Sequence, residues 1–312
     1  MTTQPPGLRA APPQAIQLAQ LGLLAELPGT WQGSGFNLIS KPGFSVDPPQ
    51  PFVLQVNTTK ETLTFTQIGG AVPDRGSQQP DITIFGLTYE QQITDATAVP
   101  TQLLHVETGM WIALPGTLDP TQPQPIVRLA TIPHGDSVLA QGSAQLFASG
   151  PLIQPISAVP FDAVTGQPTP PGYFPPDPMA FPHVDPFPIP AGFDLSNPNA
   201  ALTSVIQGQT IPSTVVLEVS TDVDPSAFPT NLGGTYGGSI LNIPFVTANA
   251  NAVSLEAKFW IETVEQSGGL PFLQLQYSQR VILSFPALPG PVGPNNPLIN
   301  WPHISVATLT KV

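Results

Sequence analysis

The chain has 312 residues, of which 41% are hydrophobic, enough to bury a sizeable core in one large domain or two small ones. Eight basic residues against 20 acidic ones give a net charge of -12, and no Lys or Arg occurs between Arg128 and Lys258. Phosphate binding requires a basic patch, so nucleic acid is not an expected partner. Cysteine is absent, which excludes disulfides, thiolate metal sites and cysteine nucleophiles.

The N-terminal segment, residues 1–28, is predicted to be an arm followed by a short helix. The apolar residues of 15–27 fall mostly on one helical stripe, which Pro28 and Gly29 end. Several glutamines and Glu26 interrupt this stretch, so it does not resemble an export signal. No run reaches the roughly 18 to 20 apolar residues that cross a bilayer. We therefore expect a soluble, cytoplasmic protein without a transmembrane segment.

From residue 29 onward the sequence pattern is that of β-strands. In 61–68, for example, apolar residues alternate with threonines, as in a strand with one face on a core and one in water. Clusters of Gly, Pro and Asp separate the segments. The predicted strands are 52–58, 61–68, 81–93, 103–114, 126–132, 137–148, 213–221, 234–243, 254–265, 272–285 and 304–309. Many short strands with brief connections predict an all-β antiparallel barrel or sandwich.

Residues 151–190 interrupt this pattern with thirteen prolines, many of them beside aromatic residues. Proline removes ladder donors, so the segment cannot be sheet interior. Its phenylalanines favour an extended arm packed on an apolar surface over a flexible linker, although a disordered insertion is the alternative. We assign 151–212 to this Pro-rich arm, through which a homo-oligomer could form.

A weak internal repeat connects the two halves of the chain. Gly-Thr-Trp-Gln-Gly-Ser-Gly-Phe-Asn at 29–37 returns as Gly-Thr-Tyr-Gly-Gly-Ser-Ile-Leu-Asn at 234–242. The repeat predicts a first β unit at 29–150 and a shorter one at 213–312, which form either two small barrels or one composite barrel.

Two histidines occupy matching places in the repeat. Pro-His at 133–134 returns as Pro-His at 302–303, downstream of the opening motif in the same order. The repeat therefore predicts that His134 superposes on His303, and that Trp31 superposes on Tyr236.

Two motifs resemble known β-barrel families. The Gly-Thr-Trp opening, with Gly33 and Gly35 after it, resembles that of lipocalin-like barrels, where Trp closes the floor and the glycines permit sharp strand bending. Leu-His-Val-Glu-Thr-Gly-Met-Trp at 104–111 resembles the His-x-Glu-x-Gly strand of nitrobindin-like haem-binding barrels, which open with the same Gly-Thr-Trp motif. The resemblance covers roughly 29–148 and, more faintly, 233–312.

This resemblance implies a haem site inside a lipocalin-like barrel. In that family a histidine near the C-terminus binds the haem iron, which implies that His303 is the metal ligand here, with His134 at the matching position. A haem site also needs cations for the propionates, for which Arg128, Arg280 and Lys258 are the candidates. The residues that the resemblance and the motifs together assign to the cofactor site are His303, His134, His105, Glu107, Trp31, Trp111 and Arg128.

Each of these residues also has a structural interpretation. His134 and His303 each follow a proline and are expected to precede a strand, where either could fix a turn. His105 and Glu107 point to one face of a strand and could form a buried polar pair. The tryptophans could pack in the core or at a barrel end.

The sequence thus favours a binding protein for a hydrophobic small molecule, with haem as the first candidate. Two other classes stay open. One is an enzyme on the same barrel, acting by haem-dependent peroxide chemistry or as a cyclase or isomerase with His105 and Glu107 as acid and base. The other is a structural or assembly protein, suggested by the 9% charged residues and the abundant proline. No Gly-x-Ser-x-Gly or His-Glu-x-x-His motif supports other catalysis.

Overall fold

The computed structural model describes residues 14–41, 53–77, 80–115, 123–168, 194, 196–222, 238–248, 251–286, 288 and 290–312. The predicted N-terminal helix is present as α1 (Gln14–Leu21), followed by a 3-10 helical turn over Gly22–Glu26. Gly22 has a φ of +56° at the point where one helix type passes into the other. No helix among the described residues has the length and apolar character needed to span a membrane.

The rest of the described chain is dominated by β-strands, which confirms the all-β prediction. Two further helices are short, α2 (Ala200–Ile206) and α3 (Pro244–Thr247). The strands are β1 (Gly29–Lys41), β2 (Val53–Gln67), β3 (Val72–Asp74), β4 (Ile82–Asp95), β5 (Leu103–Ala113), β6 (Gln124–Ile132), β7 (Asp136–Phe147), β8 (Phe161–Asp162), β9 (Thr210–Ser220), β10 (Ser239–Asn242), β11 (Asn251–Glu265), β12 (Phe272–Pro286) and β13 (Leu298–Lys311).

Ten of these strands form one closed antiparallel barrel. Their order is β1-β2-β4-β5-β6-β7-β9-β11-β12-β13, and β13 pairs back onto β1 from Trp31↔Lys311 to Leu38↔Ile304. The first and second halves of the chain meet a second time where β7 pairs with β9. Of the two arrangements that the repeat predicted, the described strands therefore form the composite barrel.

Two glycines of the opening motif make the β1–β13 seam possible. A Cβ atom on Gly33 would lie 2.1 Å from the carbonyl oxygen of Thr308, and one on Gly35 would lie 2.0 Å from that of Val306. Both distances are far below van der Waals contact with backbone atoms, so only glycine allows the two strands to approach this closely.

The barrel end that carries the N-terminal helix is packed with side chains. Leu21, Leu24 and Leu27 of the helical segment are buried against Trp31, whose indole Nε1 donates a hydrogen bond to the Leu27 carbonyl at 2.8 Å. Leu63, Leu87 and Leu309 join the same core, which leaves room for a ligand only towards the opposite end.

A second apolar cluster lies on the outside of the barrel. Residues 151–168, the first described part of the predicted arm, contribute Ala158 to a cluster with Leu202 of α2, also in the arm, and with Trp260 and Trp301 of the barrel wall. β8 pairs with β13, which ties this segment to the wall. Residues 169–193 of the arm and Tyr236 of the repeat lie outside the described residues.

His134 and His303 differ in local structure, contrary to the expectation that each precedes a strand. His134 lies in the turn before β7, as predicted, but His303 lies within β13, opposite Val281 of β12. β13 extends through Pro302 back to Leu298. Pro302 is tolerated in this strand because β1 pairs with β13 only as far as Ile304, so the missing N–H of Pro302 costs no hydrogen bond to β1.

Candidate ligand-binding cavity

A cavity of about 500 Å³ occupies the barrel end opposite the N-terminal helix. Most of its surface is apolar, and β10 and α3 contribute Ile240, Phe245 and Val246 to its lining. The remaining apolar residues of its lining are Ile39, Ile93, Leu104, Ile132, Val138, Ala252, Leu255, Val281 and Leu283. The polar and titratable ones are Asn37, Gln55, Asn57, Gln91, His105, His134, Asp136, Tyr277, Gln279, His303 and Ser305.

Three of the four histidines line this one cavity. His105 comes from β5, His134 from the turn between β6 and β7, and His303 from β13. The ring centroids of His105 and His134 are 6.0 Å apart. The closure of the barrel therefore brings together imidazoles that lie far apart along the sequence.

Gly135 shapes the turn that presents His134. Its φ of +107° is unfavourable for other residues, and a Cβ atom there would lie 2.6 Å from Cγ1 of Ile243. The Ile243 amide donates to the Gly135 carbonyl at 3.0 Å. Glycine at this position thus lets the segment of β10 and α3 rest on the histidine turn and contribute to the cavity lining.

The imidazole of His303 has an unpartnered nitrogen in the lining. Its Nε2 is buried and has no hydrogen-bond partner. Burial, together with the nearby imidazoles of His105 and His134, lowers the pKa of His303 to about 4, so the ring is neutral at pH 7. A neutral imidazole with an unpartnered nitrogen is the form that binds a metal ion.

Beneath the lining, Glu107 and Arg128 form a buried ion pair. Nη2 of Arg128 lies 2.6 Å from Oε1 of Glu107, Nε donates to the Tyr89 hydroxyl at 3.1 Å, and Nη1 donates to Oε1 of Gln279 at 2.7 Å. Tyr89 itself donates to Glu107. Burial alone would raise the pKa of Glu107, but the Arg128 charge and hydrogen bonds from His105 and Tyr89 lower it to about 2.

His105 and Glu107 share a face of β5, as the spacing predicted. Nε2 of His105 is 3.5 Å from Oε2 of Glu107, so the carboxylate faces the ring from below the cavity. Glu107 is fully buried, whereas the His105 side chain keeps 22% of its surface exposed.

The cations that were expected to serve haem propionates do not line the cavity. The Arg128 guanidinium donates hydrogen bonds to Glu107, Tyr89 and Gln279. The other two candidates form ion pairs outside the lining, Arg280 with Glu256 and Lys258 with Glu218, both at 2.9 Å.

Trp31 and Trp111 also lie outside the cavity lining. Trp31 packs at the closed end, and Trp111 packs edge-on against Phe259 with ring centroids 5.3 Å apart. Both are at most 1% exposed. Their positions agree with the core interpretation of the tryptophans.

A second buried acid, Glu61, was missed by the sequence reasoning. Its carboxyl group accepts hydrogen bonds from the Tyr277 hydroxyl at 2.6 Å, from Thr59 at 2.8 Å and from the Gln91 amide at 3.3 Å. Burial raises its pKa. The alternation in 61–68 contained the signal, because it places Glu61 on the same face as the core residue Leu63.

Within the described residues, no group of three or more His, Cys, Asp or Glu side chains has the geometry to hold a metal ion by itself. No protein-family model and no curated protein matches this chain. The chain is similar to one solved structure, "Crystal Structure of Rv2717c from M. tuberculosis", at 14% identity, covering 97% of this chain and 99% of that chain with a TM-score of 0.40.

Proposed function

We propose that this protein binds a largely hydrophobic small molecule inside the barrel, with haem as the first candidate. The observation that carries the proposal is the 500 Å³ cavity, whose exposed surface is mostly apolar and which lies at the end of the barrel opposite the packed helical end. Small-molecule sites typically span about 300–1000 Å³ and combine apolar walls with a few polar groups.

His303 is the residue that suits haem best. Its neutral imidazole, with an unpartnered Nε2, would bind the iron, while the apolar walls would contact the flat macrocycle and exclude water. Haem would supply an iron centre that the chain itself lacks. The resemblance of the motifs at 29–37 and 104–111 to those of nitrobindin-like barrels supports the same ligand and the same histidine.

Hemin titration tests this proposal directly. We expect a saturable Soret change with at least micromolar affinity in the parent protein and its loss in His303→Ala, because a single imidazole supplies the directional bond to iron. The variants His134→Ala and His105→Ala, which remove the other two imidazoles of the lining, should keep the Soret change. Equal melting temperatures would show that loss of binding is not loss of folding.

Two results would count against haem. One is the absence of a saturable change in the parent protein, and the other is full retention of the change in His303→Ala. A neutral fluorescent dye such as N-phenyl-1-naphthylamine then tests the broader proposal, since its emission rises in an apolar cavity. A protein that binds neither hemin nor the dye would refute a ligand-binding cavity.

An enzyme on the same barrel is the second candidate, and His105 is the observation that favours it. The imidazole borders the cavity and faces a buried carboxylate that can orient it. The low pKa of Glu107 and its ion pair with Arg128 keep it ionised at neutral pH, so Glu107 would position His105 and not itself exchange a proton. Loss of turnover of an apolar substrate in His105→Ala, with its binding retained, would support this alternative.

A further inference from the structure

We infer that the cavity selects ligands whose buried part is uncharged or positively charged and carries a hydrogen-bond donor, and that it rejects a buried carboxylate. This inference rests on the proposed function and names the class of ligand for that cavity. It follows from the charges and the unpartnered polar atoms around the lining.

The first step concerns the charges that face the cavity. Among the described residues of its lining there is no Lys or Arg, and the acidic residue is Asp136. The Tyr277 hydroxyl also lines the cavity and is neutral because burial raises its pKa. These groups therefore give a ligand carboxylate no permanent counter-charge.

The second step concerns the cation nearest to the cavity. Arg128 lies beneath the lining, but all three sides of its guanidinium already donate hydrogen bonds, to Glu107, Tyr89 and Gln279. Its charge is offset by Glu107, which is ionised and equally buried. A ligand carboxylate would have to break this ion pair to reach the guanidinium.

The third step concerns two of the neutral donors of the lining. The Tyr277 hydroxyl and the Gln91 amide line the cavity, and both donate to the buried carboxyl of Glu61. They are therefore occupied by an acid of the protein itself. Whether Glu61 is ionised or protonated, it adds no positive charge.

The fourth step concerns the atoms that lack a partner. Oδ1 of Asp136 is buried in the lining and accepts no hydrogen bond, and Nε2 of His303 is likewise unpartnered. A carboxylate oxygen requires a donor, and so does Nε2 of an imidazole whose proton is on Nδ1. An alcohol or an amine supplies such a donor, whereas a carboxylate ligand does not. For haem, the same reasoning places the propionates outside the cavity.

A matched series of ten-carbon chains tests the inference. Decanol, decylamine and decanoate are titrated at pH 7.5 into the full chain loaded with N-phenyl-1-naphthylamine, and displacement is followed by fluorescence. We expect decanol and decylamine to displace the dye at concentrations at least about tenfold below that of decanoate. Displacement by decanoate at equal or lower concentration overturns the inference and leaves the proposed function intact. Failure of the dye to bind overturns both.

A charge variant provides the second arm. Asp136→Asn should reduce the preference for decylamine over decanoate at least about threefold, because it removes the acid and its unpartnered oxygen from the lining. Asp81→Asn is the matched control, since Asp81 pairs with Arg75 away from the cavity, and it should leave the preference unchanged. An unchanged preference in Asp136→Asn, or an equal shift in both variants, contradicts the role of Asp136.

Discussion

Glu262 is a carboxyl group buried on the outer side of the barrel wall. Its Oε2 accepts a hydrogen bond from the Gln274 amide at 2.6 Å, while Oε1 is buried without a partner. Burial raises the pKa of Glu262 to about 7. The Gln274 bond opposes this shift but does not cancel it, so the folded state favours the protonated acid.

This shift predicts a pH dependence of stability. In the unfolded chain the acid loses its proton near its ordinary pKa of 4.5, but in the folded protein only near 7, so its contribution to the free energy of unfolding falls as pH rises between these values. We expect Glu262→Gln to match the parent near pH 4 and to be more stable by up to about 3 kcal/mol at pH 8. Urea unfolding across this pH range measures the difference.

An exposed acid serves as the control for this measurement. Glu90→Gln on β4, whose side chain bonds only Gln92, should show a difference from the parent that does not vary with pH. A pH-independent difference for Glu262→Gln as well would contradict the buried, protonated state of Glu262.

The Glu107–Arg128 ion pair predicts a loss of stability in acid, opposite in sign to the pH dependence that Glu262 predicts. The pKa of Glu107 is depressed to about 2, so its stabilisation is present above about pH 4.5 and is lost as pH falls towards 2. At pH 7 we expect Glu107→Gln to cost about 3–5 kcal/mol, because it leaves the buried Arg128 charge uncompensated. The double variant Glu107→Gln with Arg128→Met should recover part of that loss in urea unfolding. A single-variant cost below about 1 kcal/mol would contradict a buried ion pair.

At the scale of elements, the β1–β13 seam depends on a close approach of the two strands. A Cβ atom on Gly35 would meet the Val306 carbonyl oxygen and lie 2.7 Å from Cα of Ala307, so the two strands would have to separate. We expect Gly35→Ala to lower the free energy of unfolding by at least about 2 kcal/mol. Gly70→Ala is the control, because nothing lies within 4 Å of its added Cβ. Equal unfolding free energies for the two variants would show that the seam tolerates a side chain.

Most predicted strands lie close to observed ones, but β1, β3 and β8 were not among the predicted strands, and tertiary contacts extended others. β2 runs unbroken over Val53–Gln67, although the sequence pattern indicated two strands at 52–58 and 61–68. The polar residues between the two segments indicated an interruption of the strand. In the structure, Thr59 is buried and donates a hydrogen bond to Glu61 inside the barrel, and the backbone ladder to β1 continues past these polar residues.

At the scale of the whole molecule, barrel closure assembles the cavity from both halves of the chain. His105 and His134 come from the first β unit and His303 from the second, and each lines the same space. The motifs and the family resemblance had assigned these three residues to one cofactor site. The sequence held no information on the distance between them, because that distance depends on the pairings of β1 with β13 and of β7 with β9.

The sequence by itself determined the all-β class, the N-terminal helix and the approximate positions of the strands, because residue alternation and the placement of glycine and proline act locally. Only the tertiary structure decided that both halves share one barrel, that Arg128 forms an ion pair with Glu107 and does not face a ligand, and that Glu61 lies buried beside Tyr277. The physical reason is that a buried polar group takes its partner from whichever strand lies opposite, and the order of strands in a barrel is set by closure of the whole sheet.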